Sequence, residues 1–252
     1  MGPKPLVLCY HAISDSLDNG LAVRPEKLRE QMRELAGRGY AGTTFAELER
    51  ARAEGRDTAK TVAVTFDDGY RSMIEASEIL DEVGFAATVF VLPTMIGSGK
   101  PMSWPGIEQW ATGPQSDEML PLDWDEIERL RNAGWEIGAH TLTHPTLTKV
   151  SPEQLADELG TAREQLVARL GSCDSVAYPY GLANRRVVKA AADAGYVHGA
   201  TLTGFHAFDT PLRRPRIGIF LHDNQRRFNA KIAGWTRALR TIPGVFTSAA
   251  DT

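Results

Sequence analysis

A glycine followed by an aromatic residue recurs along this chain, each time between a helical pattern and an apolar run. The pairs are Gly39-Tyr40, Gly84-Phe85, Gly134-Trp135 and Gly195-Tyr196. Glycine readily ends a helix in the left-handed conformation, and the aromatic residue then opens the next strand. Helices that alternate with strands in this way favour a mainly parallel sheet with helices packed outside it.

The predicted strands and helices follow this alternation. Strands are predicted over 6–10, 61–66, 86–92, 135–139, 175–178, 196–202 and 216–220. Helices are predicted over 25–38, 70–83, 123–133, 151–170, 184–194 and 226–239. The pattern alone fits either a closed barrel or an open sheet. A chain of 252 residues can form one domain, so we expect a single domain over 1–252.

Composition narrows the class of protein. Hydrophobic residues make up 42% and charged residues 24% of the chain, which is typical of a globular enzyme. A net charge of −4 argues against nucleic acid as the main partner. No apolar run is long enough to be a transmembrane segment, and the first residues do not resemble a signal peptide, so a cytoplasmic location is expected. The oligomeric state stays open.

The two cysteines carry little functional signal. With only Cys9 and Cys173, the chain has neither a disulfide framework nor a thiolate zinc site. Cys9 lies in an apolar run, where we expect a buried free thiol.

Two short motifs carry the chemistry. They are Thr65-Phe66-Asp67-Asp68-Gly69 and His140-Thr141-Leu142-Thr143-His144. One carboxylate and two neutral imidazoles can bind a divalent ion and leave positions open for water and substrate. A second carboxylate beside them can act as the base towards a metal-bound water. The combination therefore indicates a metal-dependent hydrolase.

The position of both motifs supports one shared site. Each motif follows the end of a predicted strand, where the catalytic groups of parallel α/β folds lie. We expect Gly69 to break its strand, so that both preceding aspartates turn towards the site. Pro145 disfavours a helix at His144, and the β-branched Thr141 and Thr143 favour an extended exit from the strand. A cap on the following helix is the competing interpretation of the two aspartates.

With Tyr178-Pro179-Tyr180-Gly181, these motifs resemble the first three motifs of the polysaccharide deacetylases, the NodB-homology domain of carbohydrate esterase family four. The resemblance covers roughly residues 6–220 and implies a distorted (β/α)7 barrel of the α/β class. It also implies metal-assisted hydrolysis of an N-acetyl, less often O-acetyl, group on a carbohydrate substrate.

The same resemblance implies roles for individual residues. Asp67 corresponds to the general base, and the backbone N–H of Tyr180 helps to hold the oxyanion. The residues that correspond to the metal ligands are Asp68, His140 and His144. The ligand set favours zinc, with cobalt, nickel or manganese as alternatives.

The acid that protonates the leaving amine has two candidates. Residues 219–223 look like the usual last motif of the family and contain His222, but they directly follow the preceding strand pattern. The segment Leu8-Cys9-Tyr10-His11 instead resembles the permuted subgroup that includes the poly-N-acetylglucosamine deacetylases, in which the acid histidine comes first. We favour His11.

Two further positions bear on the substrate and the base. The family often has an arginine at the position of Ala177, where it orients the base, and Arg216 is our candidate for its substitute. The long connection over 93–122 is rich in glycine and proline and contains Trp104. A connection of this length is often functional, so we expect it to form a lid or a substrate wall.

These observations favour a deacetylase of an N-acetylhexosamine unit. A metal-dependent hydrolase of a non-sugar amide or cyclic imide is an alternative with the same fold. A metal-binding or glycan-binding module without catalysis is an alternative of another class, because Ala177 departs from the motif.

Overall fold

The computed structural model describes residues 5–202 and 210–233. Within these residues the strands are β1 (Leu6–Tyr10), β2 (Ala41–Thr43), β3 (Thr61–Phe66), β4 (Thr88–Val91), β5 (Glu136–Ala139), β6 (Ser175–Ala177), β7 (His198–Leu202) and β8 (Arg214–Gly218). The α-helices are α1 (Pro25–Gly37), α2 (Phe45–Ala53), α3 (Met73–Asp81), α4 (Glu108–Ala111), α5 (Trp124–Asn132), α6 (Pro152–Leu170), α7 (Arg185–Asp193) and α8 (Gln225–Ile232). Short 3₁₀ turns lie at Ser116–Met119 and Pro179–Gly181.

Seven of the described strands form a closed parallel ring, in the order β1-β8-β7-β6-β5-β4-β3 and back to β1. The ring closes along the full length of β1, from Leu6 opposite Val62 to Tyr10 opposite Phe66. The remaining strand, β2, pairs with the start of β3, whereas β4 pairs with its end. The (β/α)7 barrel implied by the resemblance is confirmed. The ring is distorted at β3, where β2 and β4 share one edge of the strand.

The segment formed by β2 and α2 was not predicted. Thr44 caps α2 by accepting a hydrogen bond from the backbone N–H of Glu47. Phe45 and Leu48 of this helix are fully buried. They pack against residues inside the barrel, namely Val7, Ala63, Phe90, Ala177 and Ala200. Because α2 follows β2 and lies against strand starts, it closes the amino-terminal end of the barrel.

Several predicted boundaries were wrong by a few residues. The strands β4, β5 and β7 begin later than predicted, and β8 covers 214–218 instead of 216–220. The helix predicted over 70–83 is shorter, because Tyr70 forms a β-bridge with Pro121 and the backbone of Arg71 donates to the carbonyl of Leu120. Of the helix predicted over 226–239, residues 234–239 lie outside the described residues.

None of the helices in the described part of the chain is both long enough and apolar enough to cross a bilayer.

Candidate active site

The two aspartates lie where β3 ends, at the carboxyl edge of the barrel. The backbone N–H of Asp67 still donates to the carbonyl of Tyr10, so Asp67 continues the pairing with β1. Asp68 has a φ of 74° and Gly69 a φ of 77°, so the chain turns one residue earlier than we predicted. A Cβ on Gly69 would lie 2.9 Å from Cγ1 of Val91, which leaves room only for glycine. Both carboxylates are buried.

The two histidines lie at the ends of a tight loop after β5. The backbone N–H of His140 donates to the carbonyl of Val91 and extends the sheet by one residue. Thr141 has a φ of 66° and His144 a φ of 64°, so the expected extended exit was wrong. The hydroxyl oxygen of Thr141 accepts the backbone N–H of His144, and this local bond stabilises a turn that β propensity alone disfavours.

Asp68 and the two histidines converge on one point. Oδ1 of Asp68 lies 3.3 Å from Nε2 of His140 and 3.5 Å from Nε2 of His144. Nδ1 of His140 lies 2.9 Å from the carbonyl of Ala177, which can fix the imidazole with its proton on Nδ1 and its lone pair on Nε2. Among the described residues, Oδ1 of Asp68 has no hydrogen-bond partner. A buried carboxylate oxygen that faces two imidazole nitrogens in this way fits a divalent cation.

Charge and burial set opposite pKa shifts in the two histidines. Burial lowers the pKa of His144 to about 4. Burial acts in the same direction on His140, but the neighbouring carboxylates of Asp67 and Asp68 outweigh it and raise the pKa of His140. Burial alone would raise the pKa of Asp68, and the neighbouring histidines lower it instead.

Asp67 is held by a buried arginine. Arg216 donates from Nη1 to Oδ1 of Asp67 at 2.6 Å and from Nη2 to Oδ2 at 2.8 Å. Nη1 of Arg216 also donates to the hydroxyl oxygen of Thr65 at 2.9 Å. Burial alone would raise the pKa of Asp67, but the Arg216 guanidinium holds it well below its ordinary value. The carboxylate is therefore ionised and oriented by a bidentate pair.

His11 lies beside Asp67, and His222 does not. Ligand atoms of Cys9, His11 and Asp67 lie within 4.8 Å of one another. The Cys9 thiol, buried and free as predicted, donates to Oδ2 of Asp67 at 3.4 Å. The His11 ring stacks on Phe220 with a centroid distance of 6.3 Å. His222 is exposed on the turn that follows β8 and belongs to neither ligand group found among the described residues.

Two aromatic rings flank His144. Trp104, from the long connection over 93–122, stacks on the His144 ring with a centroid distance of 4.2 Å. Tyr180 meets the same ring edge-on at 4.9 Å and is 42% exposed. Tyr180 has a φ of 58°, inside the 3₁₀ turn after β6. The connection therefore forms one wall beside the candidate ligands, and Tyr180 forms a solvent-facing part of the same site.

Sequence reasoning missed two residues at this site. Cys9 was expected to be buried, but its contact with Asp67 was not foreseen. Glu158 of α6 accepts hydrogen bonds from the backbone of the histidine loop, at Leu142 and Thr143. The pairing of β1 with β3 could have suggested the first contact. One acidic residue in a long amphipathic helix gives no signal for the second.

Comparison with known proteins adds independent findings. The family profile described as Polysaccharide deacetylase matches residues 54–199. YxkH of Bacillus subtilis (strain 168), whose name describes a polysaccharide deacetylase, is 26% identical over 198 residues, which are 77% of this chain and 63% of that protein. The poly-beta-1,6-N-acetyl-D-glucosamine N-deacetylase of Escherichia coli (strain K12) is 26% identical over 134 residues, 52% of this chain and 18% of that protein. The chain thus spans less than two thirds of the length of these relatives.

A solved structure shares the fold. The Streptococcus pyogenes deacetylase PplD, solved in complex with acetate, superimposes with a TM-score of 0.78 at 23% identity. The superposition covers 92% of this chain and 100% of that chain.

Proposed function

Because this chain belongs to the polysaccharide deacetylase family, we propose that it is a metal-dependent hydrolase of a carbon–nitrogen bond. Its substrate is the N-acetyl group of an N-acetylhexosamine unit in a glycan or glycoconjugate. One observation carries the proposal: an unpartnered, buried carboxylate oxygen of Asp68 faces two imidazoles, next to a second carboxylate that Arg216 orients.

Asp68, His140 and His144 would hold the ion, with zinc as our first candidate and cobalt, nickel or manganese as alternatives. When bound, the ion supplies Lewis-acid chemistry, because it polarises a carbonyl oxygen and lowers the pKa of a water from 15.7 towards about 7. The neighbouring group of Cys9, His11 and Asp67 is a poor resident site, since the Arg216 guanidinium engages both oxygens of Asp67 and would repel a second cation.

Asp67 is the proposed base. Arg216 keeps its carboxylate ionised and aligned, so that it can accept the proton of the attacking water. Its lowered pKa makes Asp67 a weak base, so it can take a proton only from a water whose own pKa is lowered. Arg216 supplies the orienting charge that Ala177 cannot, and this arrangement supports catalysis over a module that only binds.

His11 is the proposed acid, and Tyr180 the proposed oxyanion contact through its backbone N–H. Nδ1 of His11 is buried and has no hydrogen-bond partner among the described residues, so it is free to carry a proton to the leaving amine. His222, the other candidate, is exposed on a turn outside both ligand groups. Trp104, buried against His144, is the proposed wall of the acetyl pocket.

The test combines metal content with acetate release. Chelator-free protein is analysed by mass spectrometry before and after reconstitution with zinc or cobalt, beside Asp68→Ala and Asp67→Asn. We expect about one ion per chain in the wild type, loss of the ion in D68A, and retention of the ion without turnover in D67N. Acetate release is measured on N-acetylglucosamine oligomers, with acetylated non-sugar amines and cyclic imides as comparison substrates.

Absence of an ion from the reconstituted wild type would overturn the proposed mechanism. Turnover of the imides alone would identify the alternative hydrolase. An ion that binds without turnover of any substrate, in wild type and D67N alike, would favour the non-catalytic module.

A further inference from the structure

The two histidines of the proposed metal site are held by different means. Nδ1 of His140 lies 2.9 Å from the carbonyl of Ala177, the kind of contact that fixes the orientation of a metal-binding imidazole. Nδ1 of His144 is buried and has no hydrogen-bond partner among the described residues. The orientation of His144 must therefore come from its ring contacts and from the backbone that carries it.

That backbone is strained and depends on an external acceptor. Thr141 and His144 both have left-handed φ values, which non-glycine residues keep only where the surroundings hold them. Between them, the backbone N–H groups of Leu142 and Thr143 find no partner within the turn. Both donate to Oε2 of Glu158, each at 2.9 Å.

Glu158 is suited to this role by its position. It projects from the long helix α6 and is only 8% exposed. Its other oxygen, Oε1, accepts the hydroxyl of Thr143, so the carboxylate holds the loop through three donors from two residues. One side-chain oxygen can accept both neighbouring N–H groups because it has two lone pairs.

We propose that Glu158 is a positioning residue that keeps His144 in its ligand orientation by fixing the loop over residues 141–144. This inference rests on the proposed function, because it presumes that His144 binds a metal. Glu158 does not itself contact the ion in this proposal. It acts through backbone geometry, so its reach matters more than its charge.

The experiment measures Co²⁺ affinity by competition with a chelator and records the Co²⁺ absorption spectrum. Glu158→Ala removes the acceptor, and we expect about 10–100-fold weaker binding with an altered spectrum. Glu158→Gln keeps the reach, since its carbonyl can accept both N–H groups, and should bind within about threefold of wild type. Glu158→Asp keeps the charge but withdraws the oxygens, and should bind at least about tenfold more weakly.

The exposed Glu153→Gln, on the same helix, is the control for a general effect of charge. Circular dichroism checks that each variant is folded, and if E158A does not fold, the ranking of E158Q above E158D decides. E158D as tight as E158Q, or any ranking in which E158D is the tighter, would overturn the inference. A wild type that binds no Co²⁺ would instead refute the proposed function, which separates the two failures.

Discussion

The two ends of the barrel both bury charged side chains, but the ends differ in how fully the buried polar groups are hydrogen-bonded. At the amino end, Arg214 donates to both oxygens of Glu49, at 2.8 and 2.6 Å. Glu136 there accepts hydrogen bonds from Thr88, Ser175 and the backbone of Ala46. At the carboxyl end, in contrast, polar atoms of His11, Asp68 and His144 have no hydrogen-bond partner among the described residues.

The backbone shows the same contrast. Among the described residues, the non-glycine residues with a left-handed φ are Asp68, Thr141, His144 and Tyr180. All of them lie at the carboxyl end, in the candidate active site. Such conformations cost on the order of 1–3 kcal/mol each, persist only where the surrounding structure holds them, and cluster at active sites. Paired charges thus stabilise the amino end of the barrel, whereas strained backbone and unpartnered atoms of the proposed metal ligands lie together at the carboxyl end, where we propose the chemistry.

The sharpest test of this contrast uses two arginines of one strand, Arg214 and Arg216, which pair with carboxylates at opposite ends. Arg216→Met removes the ion-pair partner of the buried Asp67, so we expect a loss of about 3–5 kcal/mol of unfolding free energy. Arg214→Met removes the nearer partner of the buried Glu49 but leaves Arg52 3.3 Å away, so we expect a smaller loss. Only R216M should also lose kcat/KM, by about 10³-fold, because Asp67 loses its orientation. Urea unfolding and acetate release measure the two quantities. A similar loss of kcat/KM in folded R214M would contradict the contrast.

Histidines at the two ends allow a second comparison. His11 and His198 both have an Nδ1 without a partner among the described residues, but His198 lies at the start of β7 and packs edge-on against Phe45. We expect His11→Ala to reduce kcat by about 10²-fold and His198→Ala to change it less than about twofold. His222→Ala should also stay within about twofold. Steady-state acetate release checks all of them, and a large loss in H222A with an active H11A would reverse the assignment of the acid.

Replacing an aromatic residue at each end should have a smaller effect on the candidate site. Trp104→Leu removes the ring stacked on His144, an interaction of about 0.5–1.5 kcal/mol, so Co²⁺ affinity should fall by no more than about tenfold. Phe45→Ala, which removes a buried ring of α2 at the amino end of the barrel, should instead cost about 3–5 kcal/mol of unfolding free energy and leave Co²⁺ affinity unchanged. Competition titration and thermal unfolding would show whether the two effects separate in this way.

The smallest expected difference between the two ends is in thiol reactivity, which should be low at both. Cys9 and Cys173 are both buried. Burial raises the pKa of Cys173 to about 12 and that of Cys9 well above its ordinary value, so both thiols stay protonated at pH 8. Native protein should therefore react with a disulfide reagent only as fast as it opens, and unfolded protein should react at both thiols. Fast labelling of Cys9 alone would show that the carboxyl end opens independently.

Much of the fold was predictable because glycine stops and apolar strands are local signals. The strands β1 and β3 were predicted with their observed bounds. The strand β2 was missed, since Ala41–Thr43 is short and only partly buried. The helix α2 was missed as well, although Thr44 followed by Glu47 is a signal for a helix start that could have been recognised.

Less of the site geometry was predictable. The residue types at 67, 68, 140 and 144 were enough to predict the chemistry, because a metal site needs a carboxylate and imidazoles and its base needs a second carboxylate. The left-handed turn at Thr141 and His144 was not predictable, since it contradicts the local preference of threonine, and the acceptor of the N–H groups inside it, Glu158, is distant in sequence. The pairing of Arg216 with Asp67 was expected only because residue 177 is alanine, where the family often has the arginine that orients the base.

The distance along the chain between Asp67 and Arg216, 149 residues, also bears on how the protein is made. As the chain leaves the ribosome, the aspartates and both histidines of the proposed metal site emerge well before β8. The ring closes only when β8 pairs with β1, and Arg216 reaches Asp67 from β8. During synthesis the chain therefore contains every proposed metal ligand before it contains Arg216, the proposed partner of the base.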